Sequence, residues 1–274
     1  MKKYDEKTAL PIIIKAAKEY DEKLNDKHFM IVYQDKNEVK ISEVGFRDMN
    51  FLHLTGVSSN LSATMFYSAC ISGKLSIRDF SIDSKGKAQR KLMVLPYLPK
   101  LLYNNCMIGK FINSGIYIKA DYFVGNTKAI LSVGFRLGDT VDYPVTLYNE
   151  NVKTLAKPVH KVLGIFSKNY NASKYDKCTY LSKGQQIGKF SNEIKNKLLD
   201  SLISKKSNGE YNLCQAIKEM KEEAREEGIR QGEYLGKVKV LREINWTVEM
   251  IAKQINLSEQ EVENIIQKIE KSEN

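Results

Sequence analysis

Between residues 107 and 148 four short apolar runs follow one another with only turns between them. They are Met107 to Ile112, Ile116 to Val124, Ala129 to Leu137 and Tyr143 to Tyr148. Asn113-Ser114-Gly115, Gly125-Asn126 and Gly138-Asp139 separate them. Strands spaced this closely, with no helix between, must pair as an antiparallel meander. Val159 to Phe166 and Cys178 to Leu181 are read as edge strands added to it. Pro96 and Pro99 make the preceding apolar segment, Lys91 to Leu102, a broken helix at best.

The front of the chain is helix, strand, turn, strand. Residues 7 to 24 are amphipathic, with Leu10, Ile13, Ile14, Ala17 and Leu24 toward one side. Phe29 to Gln34 is a strand, Asp35-Lys36-Asn37 a turn, and Val39 to Ile41 a second strand before Gly45, read as a bulge. Phe51-Leu52-His53-Leu54-Thr55-Gly56 then reads as a strand-to-helix corner. A helix from Ala63 to Ile71 follows, with Gly73 at its end. Helices gathered in front of a meander make an α+β domain.

Composition changes near Lys183. Phe190 to Ile203 is helical in pattern, and Ser204 to Gly209 is a polar break. From Tyr211 onward the chain is strongly helical, with Lys218 and Glu222, or Glu226 and Arg230, four residues apart. Gly228, Gly232 and Gly236 recur at the same spacing, which suits close approach of a helix from a second copy; a kinked helix is the other reading. Thr247 caps a short helix, and Ser258 with Glu261 forms a capping box ahead of Val262, Ile265, Ile266 and Ile269. These two helices form a helix-turn-helix-like unit. The second carries Glu259, Glu261, Glu263 and Glu270 against Lys268 and Lys271, which disfavours DNA phosphates. The expected organisation is a domain over residues 1–182, a helical linker over 183–210 and a helical oligomerisation tail over 211–274.

The net charge of +10 is uneven. Residues 215–274 hold ten Lys/Arg and thirteen Asp/Glu, leaving 33 against 20 before them. A basic folded domain suits a polyanionic partner, because each neutralised phosphate releases a counterion. Cys70, Cys106, Cys178 and Cys214 lie far apart with no CxxC pair. That spacing argues for reduced thiols in a cytosol and against a zinc site. No apolar run is long enough to span a bilayer, so a cytoplasmic protein is expected. No P-loop, HExxH or GxSxG motif is present. No cofactor and no metal are expected, although Asp121, Asp139 and Asp142 leave a carboxylate site open.

Chemistry is sought first at His53, whose imidazole exchanges a proton near neutral pH. Strand alternation would put His53 and Thr55 on one open face and Leu52 and Leu54 in the core. Metal-free RNA cleavage needs a base for the 2′-hydroxyl, cations or N–H donors for the phosphate, and an acid for the leaving oxygen. His53 is the candidate base. Arg136, with Arg78 or Lys74, is a candidate phosphate clamp, and the Thr146 hydroxyl a phosphate donor. His160 and Tyr143 are further acid or base candidates.

The Phe51-to-Gly56 box, the helix with Phe66-Tyr67, Leu75-Ser76 and the meander ending in Tyr143-Pro144-Val145-Thr146 resemble a phage-associated group of nucleases. That group is the fourth of its kind in the barnase, EndoU, colicin and RelE-like superfamily. The resemblance covers roughly residues 4–180. It implies metal-independent RNA cleavage by helices packed on an antiparallel sheet, with His53, Thr55 and Thr146 carried over. The tail, from Lys221 through Gly232 with Ile251-Ala252 and Leu257-Ser258, resembles the C-terminal helices of recombination-promoting, transposase-like nucleases, without their catalytic domain. The expected function is therefore an endoribonuclease of a phage or mobile-element conflict system that acts on RNA and self-associates through its tail. A non-catalytic nucleic-acid- or protein-binding module on the same fold is the alternative.

Overall fold

The computed structural model describes residues 4–83, 86–112, 119–126, 131–204, 234–242, 246–255 and 257–272. Two compact units form, residues 1–207 and 208–274. The first opens with α1 (Glu6–Lys23), whose start is fixed by reciprocal Asp5 and Thr8 capping. Its Ala9, Ile13, Ala16, Ala17 and Tyr20 are buried. β1 (Lys27–Asp35) and β2 (Glu38–Phe46) then form a hairpin in unbroken register, so Gly45 is no bulge. Gly45 is instead a close approach: a Cβ there would lie 3.2 Å from His28 and 3.3 Å from Val141.

The box at residues 51–56 is not a strand. It is the end of a helix, α2 (Asp48–Thr55). The Asn50 side chain accepts the Arg47 N–H at 2.8 Å, and Gly56 ends the helix at φ +77°. Phe51, Leu54 and Thr55 are buried. That i, i+3, i+4 spacing is helical, and over so short a run it also satisfied an alternating reading. β3 (Ser58–Ser59) and β4 (Phe80–Ser81) pair on either side of α3 (Ala63–Ile71), which Ser62 caps. α4 (Lys87–Val94) leads into a 3-10 helix, Leu95–Tyr103, where the prolines interrupt regular α-helix.

The meander forms as expected: β5 (Met107–Phe111), β6 (Tyr122–Asn126), β7 (Leu131–Arg136) and β8 (Tyr143–Tyr148) pair in sequence. After α5 (Val152–Leu155) comes β9 (Ala156–Asn169), a central strand rather than the expected edge. The sheet order is β2-β1-β9-β5-β6-β7-β8, and β10 (Lys177–Leu181) pairs only with β9. The sheet curls until its ends meet. The Gly45 N–H donates to the Asp142 carbonyl at 2.8 Å, and the Asp142 N–H to the Glu43 carbonyl at 2.9 Å.

The main core fills the inner face of this curl. α1, α2, α3, α4 and the 3-10 helix pack there against Phe29, Ile31, Val44, Phe46, Val124, Val133 and Leu147. Met30, Val32, Leu163 and Phe166 face the other way and carry a second core. That core is completed by Ile187, Phe190, Ile194, Leu198 and Leu202, from the segment that includes α6 (Asn192–Lys197) and α7 (Asp200–Ser204). Lys197 and the Tyr175 hydroxyl both bond the Glu43 carboxylate there, at 3.1 and 3.0 Å. Of the segment read as a linker, residues 187–204 are packed into the domain.

Lys91 is a buried cation on α4, 5% exposed. Its ammonium donates to the His53 carbonyl at 2.6 Å, and its stem lies where a Gly56 Cβ would fall, 2.7 Å away. Burial lowers its pKa to about 7. Cys70 and Cys106 are buried free thiols and Cys178 a half-buried one; Cys214 and the expected Gly228 and Gly232 contacts lie outside the described residues.

In the second unit residues 234–242 are helical, and Val248–Ile255 and Glu259–Ser272 follow. The capping box is present: the Ser258 N–H donates to Glu261 at 2.9 Å, and the Glu261 N–H to the Ser258 hydroxyl at 3.3 Å. Val238, Ile251, Ala252 and Val262 form a small core with Trp246 packed against it.

Two outcomes follow from this packing. Each large apolar side chain is worth about 1.5–3 kcal/mol when buried, and a domain's whole stability is about 5–15 kcal/mol. Ending the chain after residue 186 removes five such residues, so its melting temperature should fall by more than about 10 °C relative to a chain ending after residue 207. Equal melting would reject the second core. For Lys91 the folded pKa lies below the unfolded one, so the unfolded chain binds the extra proton as pH rises from about 7 toward the ordinary lysine range. Stability should therefore climb through that window in the wild type. Urea titrations of Lys91→Met should show that part of the climb gone.

Candidate active site in the curled sheet

At one end the helices leave the inner face of the curl uncovered. The opening there is a cleft of about 980 Å³, lined among the described residues by strands and the loops between them. His160 sits in its wall. β9 pairs with β1 through Val162 opposite Tyr33, and with β5 through His160 opposite Ile108. His160 thus lies just past the end of the β1 pairing and still paired with β5, on the other side of β9, and continuing the β1 register brings Asp35 beside it. The His160 Nδ1 is 3.6 Å from the Asp35 carboxylate. Both side chains are partly buried, 16% and 22% exposed. The Tyr33 ring lies 5.7 Å from the imidazole, tilted by 42°.

Asp35 also accepts a hydrogen bond from the Lys40 ammonium at 2.5 Å. That bond, with the charges of Lys40 and His160, holds the Asp35 carboxyl below the ordinary carboxylate range against the opposing effect of desolvation. The same bond raises Lys40 above the ordinary lysine value. Both groups therefore stay charged through neutral pH. Lys110 is exposed on β5, two residues from Ile108 and on the same face as His160. Gly109 between them is a close approach to β9: a Cβ there would lie 2.6 Å from the Pro158 carbonyl.

A third element of the cleft is a hydroxyl network. The Tyr122 hydroxyl donates to Asp142 at 2.7 Å and lies 2.8 Å from the Ser42 hydroxyl. Burial drives the Tyr122 pKa far above its ordinary value, so it remains a neutral donor. Asp142 also accepts the Gly138 N–H at 3.2 Å, which holds the rim loop at residues 137–142. This network is internally satisfied and works as architecture.

The candidates read from sequence fall elsewhere. His53 is exposed on α2, and its carbonyl is the Lys91 acceptor. Thr55 is fully buried; its hydroxyl donates to the Leu52 carbonyl at 2.7 Å and accepts the Val57 N–H at 3.3 Å. Arg136 pairs with Tyr143, and Thr146 with Gly134, on the face of the sheet opposite Val133 and Leu147. α2 packs its Phe51 and Leu54 on the Leu147 side, so the structure does not gather His53, Thr55, Arg136 and Thr146 into one cleft. Arg78 is exposed, as are Lys74 and Tyr143, and none of them lines the cleft. Of the histidines considered, His160 is the one the fold places in a cleft.

Tyr33, Asp35, Lys40 and Lys110 escaped the sequence reading. Asp35 looked like a turn residue, and no local pattern pairs it with a histidine 125 positions later in the chain. Only the β1–β9 register does so, and that register needs β9 to be central.

No curated protein and no solved structure matches the chain. A family model does, over residues 12–184, which spans α1 through β10 and every strand that lines the cleft. On that match the chain belongs to the family described as phage-Barnase-EndoU-ColicinE5/D-RelE like nuclease4.

Proposed function

We propose that this nuclease is an endoribonuclease that works without a metal, with His160 as its proton-transfer group. The observation that carries the reading is the His160–Asp35 pair in the open end of the curl. The Asp35 carboxylate lies 3.6 Å from Nδ1, on the far side of the ring from Nε2, which is left to exchange a proton with substrate. His160 takes the proton of a ribose 2′-hydroxyl, whose oxygen attacks the adjacent phosphorus. Lys110 lies on the same face as a cation for the developing phosphate charge and as a donor toward the leaving oxygen. Lys40, held charged by Asp35, adds positive potential at the cleft wall. RNA is favoured because this chemistry uses the 2′-hydroxyl, which DNA lacks.

The wider setting is part of the same proposal: a cytoplasmic RNase of a phage or mobile-element conflict system, self-associating through the helical tail. Its support is the family's phage association and the basic excess of the first 214 residues. The tail's acidic last helix supports self-association over DNA reading.

The test is cleavage of end-labelled RNA in EDTA. His160→Ala should lower the rate by about a hundred- to ten-thousandfold. Asp35→Asn should lower it less, since the ring keeps its position in the strand. His53→Ala should cleave like wild type. A His160→Ala protein as active as wild type would falsify the assignment, and loss on His53→Ala alone would move the site to α2.

A further inference from the structure

Proton transfer leaves the apolar part of the cleft without a role. Tyr33 packs its inner edge against the main core and turns the rest of its ring toward the cleft beside His160. Leu137 lines the same cleft and is 66% exposed. An exposed leucine on an open surface needs no explanation, but the backbone that carries this one is held in place. Its N–H donates to the Asp121 carboxylate at 2.8 Å, and the next N–H, of Gly138, to Asp142 at 3.2 Å. An exposed apolar side chain on a pinned backbone and an aromatic ring therefore share a cleft whose walls are otherwise of mixed charged and apolar character. Its volume, about 980 Å³, is at the upper end of the roughly 300–1,000 Å³ of single-ligand sites. That space takes one or two nucleotides and not a helix.

We propose that Tyr33 and Leu137 form the seat of one unpaired nucleobase, stacked beside His160, so that the cleft accepts single-stranded or bulged nucleic acid and rejects duplex. A base has two apolar faces and a polar edge, and stacking on an aromatic side chain tolerates any base. In a duplex those faces are already covered, so entry would require unstacking. The seat sets which strand geometry reaches the imidazole; it takes no part in bond making. The inference rests on the reading that the cleft acts on nucleic acid.

The experiment uses the full chain and a non-cleavable 2′-O-methyl oligonucleotide carrying a single 2-aminopurine, whose fluorescence falls on stacking. Wild type and Tyr33→Phe should bind it with quenching. Tyr33→Leu should lose the quench and bind about five- to a hundredfold more weakly. Leu137→Ser, at an exposed position that leaves the fold intact, should also weaken binding. The same sequence in a duplex should bind poorly and stay unquenched. Unchanged quenching in Tyr33→Leu, equal affinity for the duplex, or no binding by wild type overturns the proposal. Cleavage by His160→Ala judges the catalytic reading separately. A chain that needs His160 but stacks without Tyr33 loses only the seat, and one that stacks at Tyr33 yet cleaves without His160 loses only the catalytic assignment.

Discussion

The structure depends on one strand that joins two parts of the sheet. β9 is fourteen residues long, well beyond the five or six typical of strands. Its second half pairs with the β1–β2 hairpin and its first half with the meander. Without it the hairpin and the meander would be separate small sheets, each with unpaired edges and too little buried surface to stand alone. With it they become one curl whose ends meet at Asp142 and β2. His160 occupies the point just past the end of the β1 pairing, where β5 alone is paired with the strand. Site and architecture therefore share one constraint: the register that unites the sheet also sets Asp35 against the imidazole.

Alternation across this curl sorts the remaining residues into roles. Along β1, Phe29 and Ile31 enter the main core, and Tyr33 and Asp35 continue the same face into the open cleft. Met30 and Val32 face the second core. A single strand thus supplies a packed half and a solvated half on one face, and the change occurs where the helices end. Gly109 matters for the same reason. It lets β5 approach β9 next to His160, where any side chain would meet the Pro158 carbonyl. The second core ties residues 187–204 to the back of the same strands, so the packed domain extends past the family-matched residues.

The sequence was most legible where local pattern and tertiary structure agree. The α1 cap, the four-strand meander and the Ser258–Glu261 box each follow from residues within a few positions of one another. It was least legible where two periods fit the same short run. Phe51, His53 and Thr55 alternate, while Phe51, Leu54 and Thr55 fit a helix turn, and burial chose the helix. β9 was misread as an edge because Val162 to Ser167 are all buried, with no polar alternation to show which face is which. The site was legible only in part. His160 stood among the candidates beside His53, but Asp35, Tyr33, Lys40 and Lys110 become partners through long-range register alone.

The mixed charge of the cleft decides what kind of ligand it can hold. Asp35, Glu38, Glu43 and Asp142 line it beside Lys36, Lys40 and Lys110, so the domain's positive excess is not concentrated there. Three of these carboxylates are committed: Asp35 to Lys40 and His160, Asp142 to Tyr122 and the Gly138 N–H, and Glu43 to Lys197 and Tyr175. A committed carboxylate repels a phosphate less than a bare one, but it adds no attraction. Long-range attraction of a polyanion must then come from basic residues elsewhere on the domain, and it is weakened by salt. Within the cleft, discrimination falls to short-range contacts: an oriented imidazole, the ammonium of Lys110 and apolar surface at Tyr33. Such a site gains little from a uniformly charged rod. On the proposed reading it gains most from a strand whose phosphate and unpaired base enter together, the geometry that the proposed 2′-hydroxyl attack would use.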